Sequence, residues 1–372
     1  MSIATGTEKM SGSQSWSTYD RRQTYEWNYA RAPDPVEVEV PQVVGRWNFC
    51  GLPVDSPLGI PAGPLLNRKW CLYYASLGFD VLTYKTVRSR AHDCYQRPNL
   101  QPVLVSAQLT GNEIQVSATD SMRGSWAVSF GMPSRSPDVW RVDVERTRDA
   151  LPAKKRLSVS VVATVQPDWS IDAVAEDYAQ CARWAVESGA DCIETNFSCP
   201  NVATCDGQLY QEPAAAGIVA ATVRDAIGGV PYIIKVGHLR SQADGVTLLD
   251  AVAPYVDAIS MTNSIATTVQ GAANQMLFDG QKRGICGAGI ATASIDQTSW
   301  MAQLIGQRKA DIRLIGVGGI GSLVEVNQYL DAGAHAVQLA TAAMTDPEIG
   351  LKLRRSMTDS SWRGGCDTNR SQ

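Results

Sequence analysis

Nowhere in the chain do apolar residues run for the roughly 18 positions a membrane-spanning helix needs, and the N-terminus lacks the basic-then-apolar pattern of a secretory leader. Both absences point to a protein that stays in the cytoplasm. Positive charge is scarce too: 33 Lys and Arg stand against 37 Asp and Glu, a net charge of −4, which leaves no basic field to hold nucleic acid or an anionic membrane. The nine cysteines contain no CxxC pair and follow no regular framework. That pattern argues for reduced thiols, against disulfides, and against an iron–sulfur cluster or other metal centre within the chain. What is present is a 372-residue chain, 44% hydrophobic and 19% charged, the composition of a soluble globular protein with small-molecule partners. The length suits one large α/β barrel or two average domains.

Residues 1–45 form a polar extension rich in Ser, Thr, Arg and Pro. Trp16 and Trp27 within it, and Trp47 just beyond, predict that it packs at least in part, and the alternation Val36-Glu37-Val38-Glu39-Val40 predicts an edge strand. Residues 46–372 form the second region. Strand-like runs fall at 58–62, 81–85, 157–165, 190–196, 232–236, 258–261, 312–317 and 336–339. Helix-like segments at 66–77, 171–188, 214–227, 243–253, 294–307 and 323–332 alternate with them, and a closing helix starts near Pro347. A long irregular stretch precedes the third strand. Eight strands, each followed by a helix or long loop, predict a (β/α)8 TIM barrel of the α/β class.

The competing fold is a doubly wound sheet, because Gly316-Val317-Gly318-Gly319-Ile320-Gly321 matches GxGxxG between a strand and a helix. A dinucleotide fold also needs an acidic residue about 20 positions on, to bind the ribose. The next strand ends instead in Gln338-Leu339-Ala340-Thr341. Glycines before a helix N-terminus suit a mononucleotide phosphate equally well, and barrels commonly place that phosphate after strands seven and eight.

The densest chemistry lies in Glu194-Thr195-Asn196-Phe197-Ser198-Cys199-Pro200-Asn201, where an apolar run leads into a thiol set between two carboxamides. A free cysteine is usually a small buried hydrophobe. Cys199 differs, because Pro200 ends regular structure just past it and so sets the thiol on a strand-end loop. The donors and acceptors of Asn196 and Asn201 suit a cyclic amide or imide, and a thiol beside such a ring suggests proton abstraction next to a carbonyl.

With these residues the chain resembles the dihydroorotate dehydrogenase family, in its soluble class 1 whose base is cysteine, over residues 55–357. The resemblance rests on Asn-x-Ser-Cys-Pro-Asn at 196–201, Thr83-Tyr84-Lys85-Thr86, Ile233-Ile234-Lys235-Val236, Thr262-Asn263-Ser264-Ile265, Gly318-Gly319 and Ala340-Thr341. It implies an FMN-binding barrel and an oxidoreductase acting on a CH–CH bond of dihydroorotate or a related dihydropyrimidine. Cys199, with Ser198 and Lys85 beside it, would take the proton while the neighbouring ring carbon delivers hydride to flavin N5. A free thiol titrates near 8.5, so a loop at about 200–212 closing over the substrate would help by excluding water. Lys235 resembles the lysine at the flavin's pyrimidine edge, and Lys85 the one between cofactor and substrate. Asn196, Asn201, Asn263 and Ser264 resemble the substrate's hydrogen-bonding partners. Ala62, Gly63, Lys85, Asn196, Gly287, Gly318, Gly319, Ala340 and Thr341 would complete the FMN site with Lys235.

Two departures stand out. Ala340 replaces the family's usual glycine, tolerable only where φ is negative. Val128, in Val128-Ser129-Phe130-Gly131-Met132-Pro133, replaces an asparagine that binds substrate, so a relative of dihydroorotate stays open as the ligand. The resemblance further implies a homodimer and a soluble electron acceptor. Subtypes that pass electrons to an iron–sulfur partner subunit stay open. Two alternatives remain beside this reading: a dihydrouridine-type flavin reductase, at odds with the chain's acidity, and a non-catalytic flavin-binding subunit, at odds with an intact base and both lysines.

Overall fold

The computed structural model describes residues 16–198, 208–358 and 362. Eight parallel strands close into a barrel: β1 Leu58–Ile60, β2 Val81–Val87, β3 Arg156–Val161, β4 Cys192–Asn196, β5 Tyr232–Lys235, β6 Ala258–Met261, β7 Arg313–Val317 and β8 Ala336–Gln338. Each pairs with its sequence neighbours, and β8 returns to β1. These are the eight runs expected from sequence, and a closed barrel rules out the doubly wound sheet. Helices follow the strands as the apolar periodicity requires. Ser170, Ser241 and Ser322 cap three of them, and Ser322 forms a reciprocal capping box with Glu325.

Period-two alternation sends every second strand residue into the barrel. At its amino end the interior is apolar, with Val81, Cys192, Ile233, Ala258, Ile315 and Ala336 packed on Phe49 and Val54 of a plugging hairpin, Trp47–Phe49 with Leu52–Val54. Towards the carboxyl end the same strands turn polar: Thr83, Ser160, Glu194, Lys235, Ser260 and Gln338 are all buried. Gln338 Nε2 donates to Thr83 Oγ1 across the interior at 3.0 Å. Buried polar side chains are thus concentrated at the carboxyl end, where barrels place their small-molecule sites.

The region read as irregular is structured. Strands Leu100–Leu104, Gln115–Ala118 and Ser125–Val128 join Ile265–Gln270 and Arg283–Gly287 in a second, five-stranded closed sheet, and a helix spans Pro137–Ala150. The expected strand at 36–40 is not one. Val36, Val38 and Val40 do face the core while Glu37 and Glu39 are exposed, but among the described residues no strand pairs with them, and the Val36 amide bonds to Ser76 Oγ instead. Residues 16–45 otherwise cross the barrel's flank through helix Tyr25–Ala30, with Tyr19, Tyr25 and Ala32 in the main core. Among the described residues no helix is long and apolar enough to cross a membrane.

Candidate active site

Strand register gathers the candidate residues. Lys235, at the end of β5, lies opposite Asn196 of β4 and Ser260 of β6, so the three share one layer at the carboxyl mouth. Lys235 is only 2% exposed, and among the described residues no carboxylate lies within ion-pair distance of it. Glu194, one layer deeper, is 1% exposed; burial raises its carboxyl above the usual range, opposed by the Lys235 charge and then by the Ser160 hydroxyl. A buried ammonium without a paired carboxylate is costly in a dry site and suits one that receives an anion.

Lys85 sits where β2 slips register against β3, between Tyr84 and Val87. Such bulges re-aim side chains near functional sites. Lys85 Nζ lies 6.0 Å from the Phe130 ring centroid, and the lysine's charge also reaches Cys94. Asn196 is tightly held: its Oδ1 accepts from the Ser198 amide at 3.1 Å and the Ser198 hydroxyl at 2.8 Å, while its Nδ2 points to Met132 Sδ at 3.3 Å. Ser198 therefore orients Asn196. Cys199 and Asn201 lie outside the described residues.

After β6, the Asn263 carbonyl accepts from Cys286 Sγ at 3.4 Å. The neighbouring Ser264 packs so closely on Gly284 that a Cβ there would lie 2.4 Å from Ser264 Oγ. Gly284 is the register partner of Val128, so the five-stranded sheet sets Val128 next to the strand position on which Ser264 packs. Burial pushes the thiols of Cys94 and Cys286 up to about 11 and that of Cys50 to about 12, and holds Cys71, Cys181 and Cys192 well above the ordinary range. None of these six is poised to act as a thiolate base, even Cys94 beside Lys85.

The glycine cradle forms from four loops. A Cβ at Gly287 would lie 3.0 Å from Thr341 Cγ2, and one at Gly319, where φ is +75°, would fall 2.8 Å from the Ala291 amide nitrogen. Backbone is thus exposed after β7 in a shape only glycine permits, beside the first turn of helix Ala291–Arg308. Thr341 opens the short helix after β8, and Ala340 has φ −103°, so its methyl group is accommodated. Ala62 and Gly63 follow β1, with open space where a Cβ of Gly63 would stand. Small backbone-exposing residues after β1, β7 and β8, with a buried cation across the mouth, fit a phosphorylated flavin. Among the described residues no three His, Cys, Asp or Glu side chains gather as metal ligands. A groove of about 590 Å³ between Trp16, Val38 and Glu348 carries none of the candidate residues.

Sequence reasoning overlooked Phe130 and Met132, although both stand in the run that contains Val128. Their one signal was proximity in the chain, since both lie within four residues of Val128.

Comparison with known proteins finds the family model for Dihydroorotate dehydrogenase over residues 122–360. The chain is similar to the dihydroorotate dehydrogenase of Dictyostelium discoideum, 31% identical over 325 residues, covering 82% of this chain and 86% of that one. It also resembles the catalytic subunit of dihydroorotate dehydrogenase B (NAD(+)) from Methanopyrus kandleri, at 31% over 224 residues; that match covers 58% of this chain and 64%, under two thirds, of the relative. Among solved structures, dihydroorotate dehydrogenase of Eimeria tenella in complex with ferulenol superposes with a TM-score of 0.68 over 90% of this chain and 88% of that one, at 16% identity, a likeness of fold.

Proposed function

Because the chain belongs to the dihydroorotate dehydrogenase family, we propose that it is an FMN-dependent oxidoreductase converting dihydroorotate, or a closely related dihydropyrimidine, to the unsaturated ring, with Cys199 as the base. The observation that carries this reading is the layer of Asn196, Lys235 and Ser260 at the barrel mouth, with Asn196 three positions before Cys199 in the sequence. Lys85, Asn196, Asn263 and Ser264 hold the ring by its polar edges. Cys199 takes the proton from the ring carbon beside the carbonyl. Lys235 supplies a fixed positive charge where negative charge builds up, an arrangement worth most in a site that excludes water. FMN, when bound, supplies the two-electron acceptor for the hydride leaving the adjacent carbon. Gly287, Gly318, Gly319 and Thr341 would hold its phosphate, with Ala62, Gly63 and Ala340 at the rim. A soluble acceptor, a homodimer and a cytoplasmic setting go with the cysteine-base class. Release of FMN on denaturing the purified protein tests the cofactor; a colourless protein that yields no flavin refutes the reading.

Val128 carries the question of the substrate. Its position next to Gly284, on which Ser264 packs, would leave one polar ring atom without the partner that asparagine gives, a loss of about 1–3 kcal/mol. Val128→Asn is therefore expected to tighten orotate binding about 5- to 150-fold, read by titrating the flavin absorbance. Unchanged affinity would place Val128 outside the pocket wall.

A further inference from the structure

Residues 16–45 do more than cover the barrel's flank. Asn28, 1% exposed, fastens the segment to itself: its side chain accepts from the Asp20 amide at 2.8 Å and donates to the carbonyls of Asp20 at 3.0 Å and Thr24 at 2.9 Å. Three bonds fasten the segment to the barrel at helix Arg68–Ser76 and its N-cap: Trp70 Nε1 donates to the Asn28 carbonyl at 3.2 Å, Asn67 Nδ2 to the Tyr29 carbonyl at 2.8 Å, and the Val36 amide to Ser76 Oγ at 3.0 Å. Arg135 stacks over Tyr29 at 4.5 Å. From this anchored segment two buried rings reach the same target. Tyr19 meets Phe130 edge-on at 5.8 Å and 85°, and Tyr25 meets it at 6.4 Å and 70°. The Phe130 ring in turn faces Lys85 Nζ, and Met132, two residues on, takes the Asn196 carboxamide. Arg88 fixes the far side of the run by donating to the Met132 carbonyl at 3.1 Å and, at 3.5 Å, to that of Gly131.

We propose that the N-terminal segment is a positioning part of the substrate site: Tyr19 and Tyr25 hold Phe130 and Met132 as an apolar wall against Lys85 and Asn196. The inference rests on the proposed function, which sets Lys85 and Asn196 at the substrate. Edge-to-face contacts fix the orientation of a ring as well as burying it, so two tyrosines converging on one phenylalanine leave it little freedom. With Val128 beside it, the wall offers the ring an apolar side where a family asparagine would offer a hydrogen bond. Such a side favours dihydropyrimidines whose substituent there is apolar or absent.

The test uses anaerobic mixing of the holoenzyme with dihydroorotate. Tyr25→Ala and Tyr19→Ala are expected to raise the half-saturating substrate concentration about three- to tenfold, the scale of one aromatic pair. The limiting rate of flavin bleaching should stay within about twofold and FMN per chain should stay unchanged, while Tyr25→Phe, which keeps the ring, should restore wild-type saturation. If an alanine variant does not fold, Phe130→Leu carries the same test from the receiving side. Unchanged saturation in these variants, or a parallel fall in rate and FMN content, overturns the inference and leaves the proposed function standing. A wild-type protein whose flavin dihydroorotate fails to bleach refutes the function itself, and the inference with it.

Discussion

Replacing Cys199 with alanine is expected to leave FMN bound and to slow its bleaching by dihydroorotate about 10²- to 10⁴-fold, the usual contribution of a positioned base. The expectation rests on the motif, and the cysteines among the described residues offer no alternative. Burial lifts all six described cysteine thiols above their ordinary range, and Cys286 is further committed as a donor to the Asn263 carbonyl, so none can replace the missing base. Glu194 lies in the barrel interior, and its own burial favours the neutral carboxyl. Because Lys235 and the glycine cradle come from other strands, the substitution should not disturb the cofactor. Stopped-flow bleaching with quantified FMN separates the two effects. Wild-type kinetics in the variant would remove Cys199 from its role.

The second large effect concerns stability. Arg354→Ala should lower the unfolding free energy by about 3–5 kcal/mol, because it strips one partner from a buried charge network. Arg354 is 1% exposed and pairs with Asp80, which is 2% exposed. It also donates to the carbonyls of Gly78 at 2.6 Å and Pro41 at 2.8 Å, and to Ser56 Oγ at 3.2 Å. Asp80 further accepts from Ser56 Oγ at 2.6 Å and Lys155 Nζ at 2.9 Å. Burial outweighs that attraction at Lys155 and lowers its pKa, so Lys155 alone is a weak substitute for the guanidinium. One side chain thus ties the closing helix, the chain entering β1, the start of β2 and the N-terminal segment together at the barrel's amino end. Denaturant unfolding monitored by tryptophan fluorescence measures the loss, and a change below about 1 kcal/mol would show that the network relaxes around the deletion. Flavin bleaching per folded molecule should be unaffected, since the network lies at the end opposite the site.

The barrel was legible in sequence for a definite reason. Strands buried on both faces are short apolar runs, such as Tyr232–Lys235 and Ala258–Met261, and the amphipathic helices between them space those runs regularly. The five-stranded sheet lacked both signals. Gln115–Ala118 pairs with Ile265–Gln270, about 150 residues away, and Leu100–Leu104 carries a proline at 102, so long-range pairing decides what local pattern could not. The alternation at 36–40 misled for the opposite reason. Period two reports which side of an extended chain is buried, and says nothing of whether a second strand lies beside it.

Lys85, Asn196, Lys235, Asn263 and the glycines, expected from their order in the sequence, do lie at the ends of strands and in the turns that follow them. What could not be read was how Phe130 and Met132 connect an N-terminal segment to Lys85 and Asn196. Tyr19 and Phe130 stand 111 positions apart in the sequence, and no pattern within either stretch announces their contact.

If this barrel mouth holds a flavin, a dihydropyrimidine should reduce it. Anaerobic titration of the purified holoprotein with dihydroorotate, followed by the same titration with related dihydropyrimidines, measures it directly. The flavin's visible absorption is expected to bleach with dihydroorotate and to return when a soluble oxidant is added. Full FMN occupancy with absorption unmoved by every ring compound would contradict it.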